Sequence, residues 1–118
     1  MYKRQLEFKT SDGFTVLVGR NNKQNDVLTL KTAAKTDMWL HTKNIHGSHT
    51  IILSDGKEIS DTAIVEAAQI CAYHSKAKDS SQVPVDYTLV KNVSKPSGAK
   101  PGKVIYVNYN TVYVTPKA

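Results

Sequence analysis

The stretch from Asp37 to His49, reading Asp-Met-Trp-Leu-His-Thr-Lys-Asn-Ile-His-Gly-Ser-His, constrains this chain more than any other. It holds the sole tryptophan, three of the four histidines and a glycine set between polar residues. Residues 38–40 predict a short buried strand, with Trp39 large enough to anchor a small core. Gly47 and Ser48 predict a turn over 46–49, because glycine reaches backbone angles closed to other residues and serine bonds locally. Apolar residues resume at Ile51 and Ile52, before a second turn at Ser54-Asp55-Gly56. Strand, polar turn and strand together project His41, Lys43, His46, Ser48 and His49 along one rim. Such crowding of polar groups points to a working surface.

The flanking segments supply a sheet and two helices. Residues 3–9 alternate as a strand, with Arg4, Leu6 and Phe8 on one side, and Ser11-Asp12-Gly13 turns the chain into a returning strand over 14–18. Gly19 to Asp26 carries no apolar side chain and predicts a loop ending in a helix cap, Asn25 or Asp26, for a short helix over 27–34. Ser60 or Asp61 opens the main helix, which runs to about Ala77. Its narrow apolar face is Ile64, Ala67, Ala68, Cys71 and Ala72, small enough to lie close on a sheet. Residues 84–90 read as a strand, and the loop Lys95-Pro96-Ser97-Gly98-Ala99-Lys100-Pro101-Gly102-Lys103 combines rigid geometry with cations. Residues 104–107 and 111–114 predict a closing hairpin around Asn108-Tyr109-Asn110. The sum is a single α+β domain over 1–118, mostly antiparallel sheet from at least three hairpin-like pairs. One main helix packs on one face, and there is a second short helix.

Composition removes several classes. With 118 residues, 40% hydrophobic and 22% charged, the chain suits one globular domain with a true core. No apolar run approaches the ~20 residues that span a bilayer, and no apolar block follows Lys3 and Arg4 as a secretory signal would require. The lone Cys71 excludes an internal disulfide and fits a reducing compartment, so a cytoplasmic protein without a membrane partner is expected. Sixteen Lys and Arg against ten Asp and Glu give a net charge of +6, and no acid follows Asp86. That balance suits polyanionic partners such as nucleic acid and equally an ordinary solvated lysine-rich surface, and it says nothing of fold.

Enzyme signatures are missing from the sequence. It has no Walker loop, GxGxxG, CxxC or HExxH. His41, His46 and His49 with Asp37 are conceivable metal ligands, but their spacing matches no common zinc template. Ser48 beside His49 or His41 would need an orienting carboxylate to act as a nucleophile. No catalytic residue, metal or cofactor is therefore expected. The alternatives are an RNA-processing or metal-dependent enzyme built on Asp37, His41 and His49, or a protein-interaction module.

Taken in order, four sets of residues carry a resemblance. They are Gly19-Arg20-Asn21-Asn22-Lys23-Gln24-Asn25-Asp26; Asp37-Met38-Trp39-Leu40-His41 with Gly47-Ser48-His49; Ala72-Tyr73-His74-Ser75-Lys76-Ala77; and Val83-Pro84-Val85-Asp86-Tyr87 with the Lys95–Gly102 loop. So arranged, the chain from about Ser11 to Pro116 resembles the NFACT-R domain of the RqcH/NEMF group, historically named fibronectin-binding protein A in Gram-positive bacteria. The resemblance implies an RNA-binding module of a ribosome-associated quality-control factor, in contact with tRNA or rRNA. It also implies that the full-length protein engages the large ribosomal subunit with its stalled nascent chain. The historical name keeps a fibronectin-binding type of protein interaction as an alternative. NFACT-N and coiled-coil arms flank the domain in such proteins, so this chain is expected to be an excised domain or a stand-alone form. His46 stands where the family commonly has proline, and His74 where it often has an aromatic residue.

Residue roles follow on that reading. Arg20, Lys43, Lys95 and Lys100 are expected to pair with phosphates. Asn21, Asn22, Gln24 and Asn25 are expected to meet sugar or base edges. His41, Ser48 and His49 would bond RNA at the rim. Asp37 is expected to be a structural anchor, bonded to backbone, Arg20 or a lysine, and Trp39 to belong to the core.

Overall fold

Three pairs of neighbours, Leu17-Val18, Trp39-Leu40 and Ile51-Ile52, are apolar at consecutive positions, so the strands that carry them bury both faces. The computed structural model, which describes residues 5–118, is built on that requirement. Its strands are β1 (Leu6–Lys9), β2 (Thr15–Val18), β3 (Met38–Thr42), β4 (Thr50–Ile52), β5 (Val83–Leu89), β6 (Val93–Ser94), β7 (Ile105–Tyr106) and β8 (Asn110–Val114). Six of them form one antiparallel sheet in the order β1-β2-β4-β3-β5-β8, and β6 pairs with β7 in a separate ribbon. The helices are α1 (Asn22–Val27) and α2 (Asp61–Tyr73). The α+β class, the dominant antiparallel sheet and the single globule agree with the sequence reading. Lys3 and Arg4 of the first expected strand lie outside the described residues.

Side-chain alternation sorts the core. Val16, Val18, Leu40, Ile52, Val83 and Val85 face α2, whose Ala63, Ala67, Ala68, Cys71 and Ala72 are fully buried against them. Small side chains let the helix axis approach the sheet closely. Leu17, Trp39 and Ile51 point the other way and are covered by Leu28, Val90 and Val93. Two layers therefore sandwich the sheet. One is a single amphipathic helix, and the other is α1 with its continuation and the β6–β7 ribbon.

Three boundaries differ from expectation. The short helix begins five residues early: Asn21, not Asn25 or Asp26, is its cap, accepting from the Gln24 backbone N–H at 2.9 Å. It continues as one wide π turn at Leu28–Thr32, in which Ala33 N–H donates to Leu28 O at 2.9 Å. The main helix starts at its expected cap, Ser60, but ends at Tyr73, because Ser75 leaves the helix to pair with Gly47.

The closing hairpin does not form. β7 pairs with β6 and β8 with β5, so the chain turns a corner between two sheets. Thr88 Oγ1 fixes that corner by donating to the carbonyls of Val107 and Asn108, at 3.0 and 3.2 Å, with Asn108 at φ 54°. This route sends Val112 and Val114 to the α2 face and Tyr106 to the Trp39 face, which a local hairpin would not do.

Candidate nucleic-acid interface

The Asn-rich segment is the first turn of α1 rather than a loop, and its amides do different work. Asn21 caps the helix, and Gln24 reaches back to accept from the Arg20 backbone N–H at 2.7 Å, in a reciprocal arrangement close to a capping box. Asn25 is buried, its Oδ1 accepting from the His49 N–H at 3.2 Å. That corrects its expected place on an RNA-facing surface. A Cβ at Gly19 would lie 2.0 Å from the same Oδ1, so glycine is required for closeness. Asn22 is exposed and sits against Gly102, where a Cβ would come within 2.7 Å of its Oδ1. Gly102, at φ 84°, donates its N–H to Asp26 Oδ1 at 3.1 Å, which docks the Lys-Pro-Gly loop on α1.

The turn over 46–49 is tied to the end of α2. Ser48 N–H donates to His74 O at 3.2 Å and Lys76 N–H donates to His46 O at 2.9 Å, on either side of the Gly47–Ser75 bridge. A Cβ on Gly47 would meet Ser75 Cβ at 2.9 Å and Thr42 Oγ1 at 3.0 Å. Close approach, not a left-handed backbone, therefore demands this glycine. Between this turn, α1 and the end of α2 lies a cleft of about 250 Å³, lined by Arg20, Asn21, Asn22, Ser48, His74 and Lys76 among others. Its lining includes two cations and no carboxylate. Three of the four sequence blocks meet here.

The expected single rim is split in two. His46 and Ser48 line that cleft, whereas His41, two residues beyond Trp39 on β3, shares the opposite side of the turn with His49. His49 is 1% exposed, which removes it from the surface. Its Nδ1 lies 2.8 Å from Thr29 Oγ1 and its Nε2 3.1 Å from Gly102 O. The neutral Nε2–H tautomer satisfies both, donating to the carbonyl and accepting from the hydroxyl. Burial is the main cause holding its pKa down at about 4. His41 Nδ1 lies 2.7 Å from Thr42 O and its Nε2 3.2 Å from Gly47 O. Burial again lowers its pKa.

Two of the expected phosphate ligands are already engaged. Lys43 Nζ is 3.1 Å from Asp86 Oδ1 and 4.6 Å from the Tyr109 ring centroid. The bond to Asp86 raises its pKa. Asp86 is fully buried and also accepts from Tyr106 and Thr111 hydroxyls at 2.5 and 2.6 Å. Lys95 Nζ lies 3.2 Å from Asp26 and donates to Lys100 O at 2.6 Å and Lys103 O at 3.0 Å, so it closes the loop from within. Arg20 and Lys100 stand exposed, with no ion pair among the described residues. Lys76 and His74 join Arg20 in the lining of the cleft, although sequence reasoning gave them no binding role.

Asp37 is 4% exposed and accepts from the backbone N–H groups of Ala34 and Ser54, each at 2.8 Å. Trp39 is 1% exposed, with its indole between His41, His49 and Tyr106. Among the described residues, no group of three or more His, Cys, Asp or Glu side chains is placed to hold a metal ion. Nor is any helix long and apolar enough to cross a membrane.

Comparison with known proteins identifies the family. Residues 4–108 match the family model described as the NFACT protein RNA binding domain. The chain is 56% identical over 111 residues to the Rqc2 homolog RqcH of Bacillus subtilis, covering 94% of this chain and 19% of that protein. The corresponding Streptococcus suis protein is 44% identical over 119 residues, covering 98% and 21%. A solved structure, the C-terminal part of the S. suis fibronectin/fibrinogen-binding protein, superposes with a TM-score of 0.92 at 42% identity, covering 99% of this chain and 47% of that one. The chain thus spans about a fifth of the length of these curated relatives. It belongs to the NFACT RNA-binding domain family.

Proposed function

We propose that the chain is an RNA-binding module that works by contact rather than catalysis, offering the cleft between Arg20 and Lys76 to the phosphates of a tRNA or rRNA. In the longer protein of its relatives' kind, it would contribute this contact to a ribosome-associated quality-control factor on a large subunit that carries a stalled nascent chain. One observation carries the reading: a concave surface assembled from three separated blocks, with Arg20 and Lys76 in its lining and no carboxylate. Phosphate attracts such cations irrespective of sequence, and the attraction weakens with salt. The exposed Asn22 amide and the half-buried Ser48 hydroxyl supply neutral groups able to fix register on sugar and backbone. Lys100, exposed on the loop that Gly102 docks against Asn22, extends the cationic path beyond the cleft.

An NMR titration of the labelled domain with tRNA, at low and then at physiological salt, tests the reading. The expected shifts concentrate in residues 20–22, 47–48 and 74–76 and persist at the higher salt. Shifts spread over every exposed lysine that vanish with salt would overturn it.

A further inference from the structure

On the other side of the 45–49 turn lies a second cavity, of about 280 Å³, whose wall includes Trp39, His41, His49 and Tyr106. The Tyr106 ring centroid is 4.6 Å from that of Trp39, and His41 lies parallel to the indole at 5.9 Å. Asn44 and Lys103 stand exposed among its lining residues, and no carboxylate is among them. Trp39 Nε1 is buried and has no hydrogen-bond partner among the described residues. The cavity exceeds by an order of magnitude the ~10–15 Å³ that houses one water.

We propose that this cavity receives one unpaired nucleobase of the bound RNA, its ring lying against Tyr106 and His41 and an acceptor on its edge meeting the side-chain amide of the exposed Asn44. The proposal rests on the RNA-binding reading above. Four observations support it. Aromatic faces stack on any base. Every base presents a ring nitrogen or carbonyl that accepts a hydrogen bond. Burial favours the neutral forms of His41 and His49, so the charge in the lining is that of exposed Lys103 at its edge. Finally, the turn that walls this cavity on one side walls the cationic cleft on the other. A strand crossing that turn would leave its phosphates at Arg20 and Lys76 and turn one base inward.

Trp39 is the sole tryptophan, so its emission reports on this cavity in the intact chain. The test titrates the protein at low salt with a short single-stranded RNA and with an abasic ribose–phosphate oligomer of equal length. Affinity is followed by anisotropy and the cavity by Trp39 fluorescence. The expected result is quenching by the RNA alone, with the abasic oligomer binding about tenfold or more weakly. Asn44→Gly, which keeps the left-handed backbone that Asn44 adopts at φ 54°, should reduce the difference between the two ligands. Equal affinity and equal emission with both ligands would overturn the base site and leave phosphate binding intact. A base-dependent gain in affinity that leaves Trp39 emission unmoved would also overturn it, since the base would then sit elsewhere. Failure of either ligand to bind at any salt would overturn the RNA reading itself, and the base site with it.

Discussion

The two faces of the sheet carry different chemistry from the same strands. Toward α2, β3 and β5 present Leu40, Val83 and Val85, and the helix answers with alanines and a thiol that burial pushes up to about 12. One residue along, the other face presents His41, bonded to the nearby 46–49 turn, and Asp86 and Thr88, tied to groups far away in the chain. Hydrocarbon burial stabilises a fold without specifying much else. A buried polar group costs stability unless every partner is in place. The contrast identifies the Trp39 face as the one that combines an apolar cluster with bonded polar groups, and that face borders the second cavity.

Asp86→Ala should break this contrast most strongly. It strands two half-buried hydroxyl partners and releases Lys43, and loss of one member of a buried pair costs about 3–5 kcal/mol. Lys43 is 31% exposed and can turn to water, so the lower end of that range is expected in urea denaturation at neutral pH. A loss below about 1 kcal/mol would mean that the network does not stabilise this face. Leu40→Ala, on the α2 face, should cost a comparable ~2–5 kcal/mol by cavity formation alone.

Acid should separate the faces next. His49 has a folded pKa of about 4, against ~6.5 when unfolded. Between those values the unfolded chain binds more protons, so the stabilisation is fully present above about pH 6.5 and is lost as pH falls toward 4. The shift corresponds to a loss on the order of 3 kcal/mol. His41, shifted in the same direction, adds to it. Urea midpoints measured from neutral pH down to about pH 4 should fall steeply, and His49→Gln should flatten the curve. An unchanged curve in that variant would place the acid sensitivity in other groups.

What the sequence disclosed follows the same division. The α2 face was legible because periodicity alone reports it: Ile64, Ala67, Ala68, Cys71 and Ala72 recur at helical spacing, and all are buried. The start of α1 was not. Asn21, Asn22, Asn25 and Asp26 are all competent caps, and the apolar signal begins only at Val27. Gln24, three residues after Asn21, was the available clue. The closing hairpin was misplaced because local rules pair a strand with its nearest neighbour, whereas β8 completes the edge of β5. Lys43 and Lys95 read as free cations because Asp86 and Asp26, their partners, are remote in sequence. The same distance hid Lys76: the Gly47–Ser75 bridge that brings it to the cleft joins two loops with no periodic signal.

The smallest effect on stability should accompany the clearest effect on binding. Arg20→Ala with Lys76→Ala removes two exposed cations from the cleft, and exposed sites of this kind usually change stability by less than ~0.5 kcal/mol. Each phosphate left without its cation reduces the dependence of log affinity on log salt by ~0.7–0.9, so the double variant should bind tRNA more weakly with a slope shallower by about 1.5. Lys95→Ala is the informative control. It carries the same kind of charge change, but its ammonium holds Asp26 and two loop carbonyls. It should therefore loosen the Lys-Pro-Gly loop and lower the unfolding midpoint while changing the salt slope little. Anisotropy titrations across a salt series, paired with thermal denaturation, separate the two variants. If all three lysine and arginine sites altered the slope equally, charge would act in bulk and the cleft would have no special standing. If only the Arg20 and Lys76 pair does so, the phosphate path runs where α1, the 46–49 turn and the end of α2 converge.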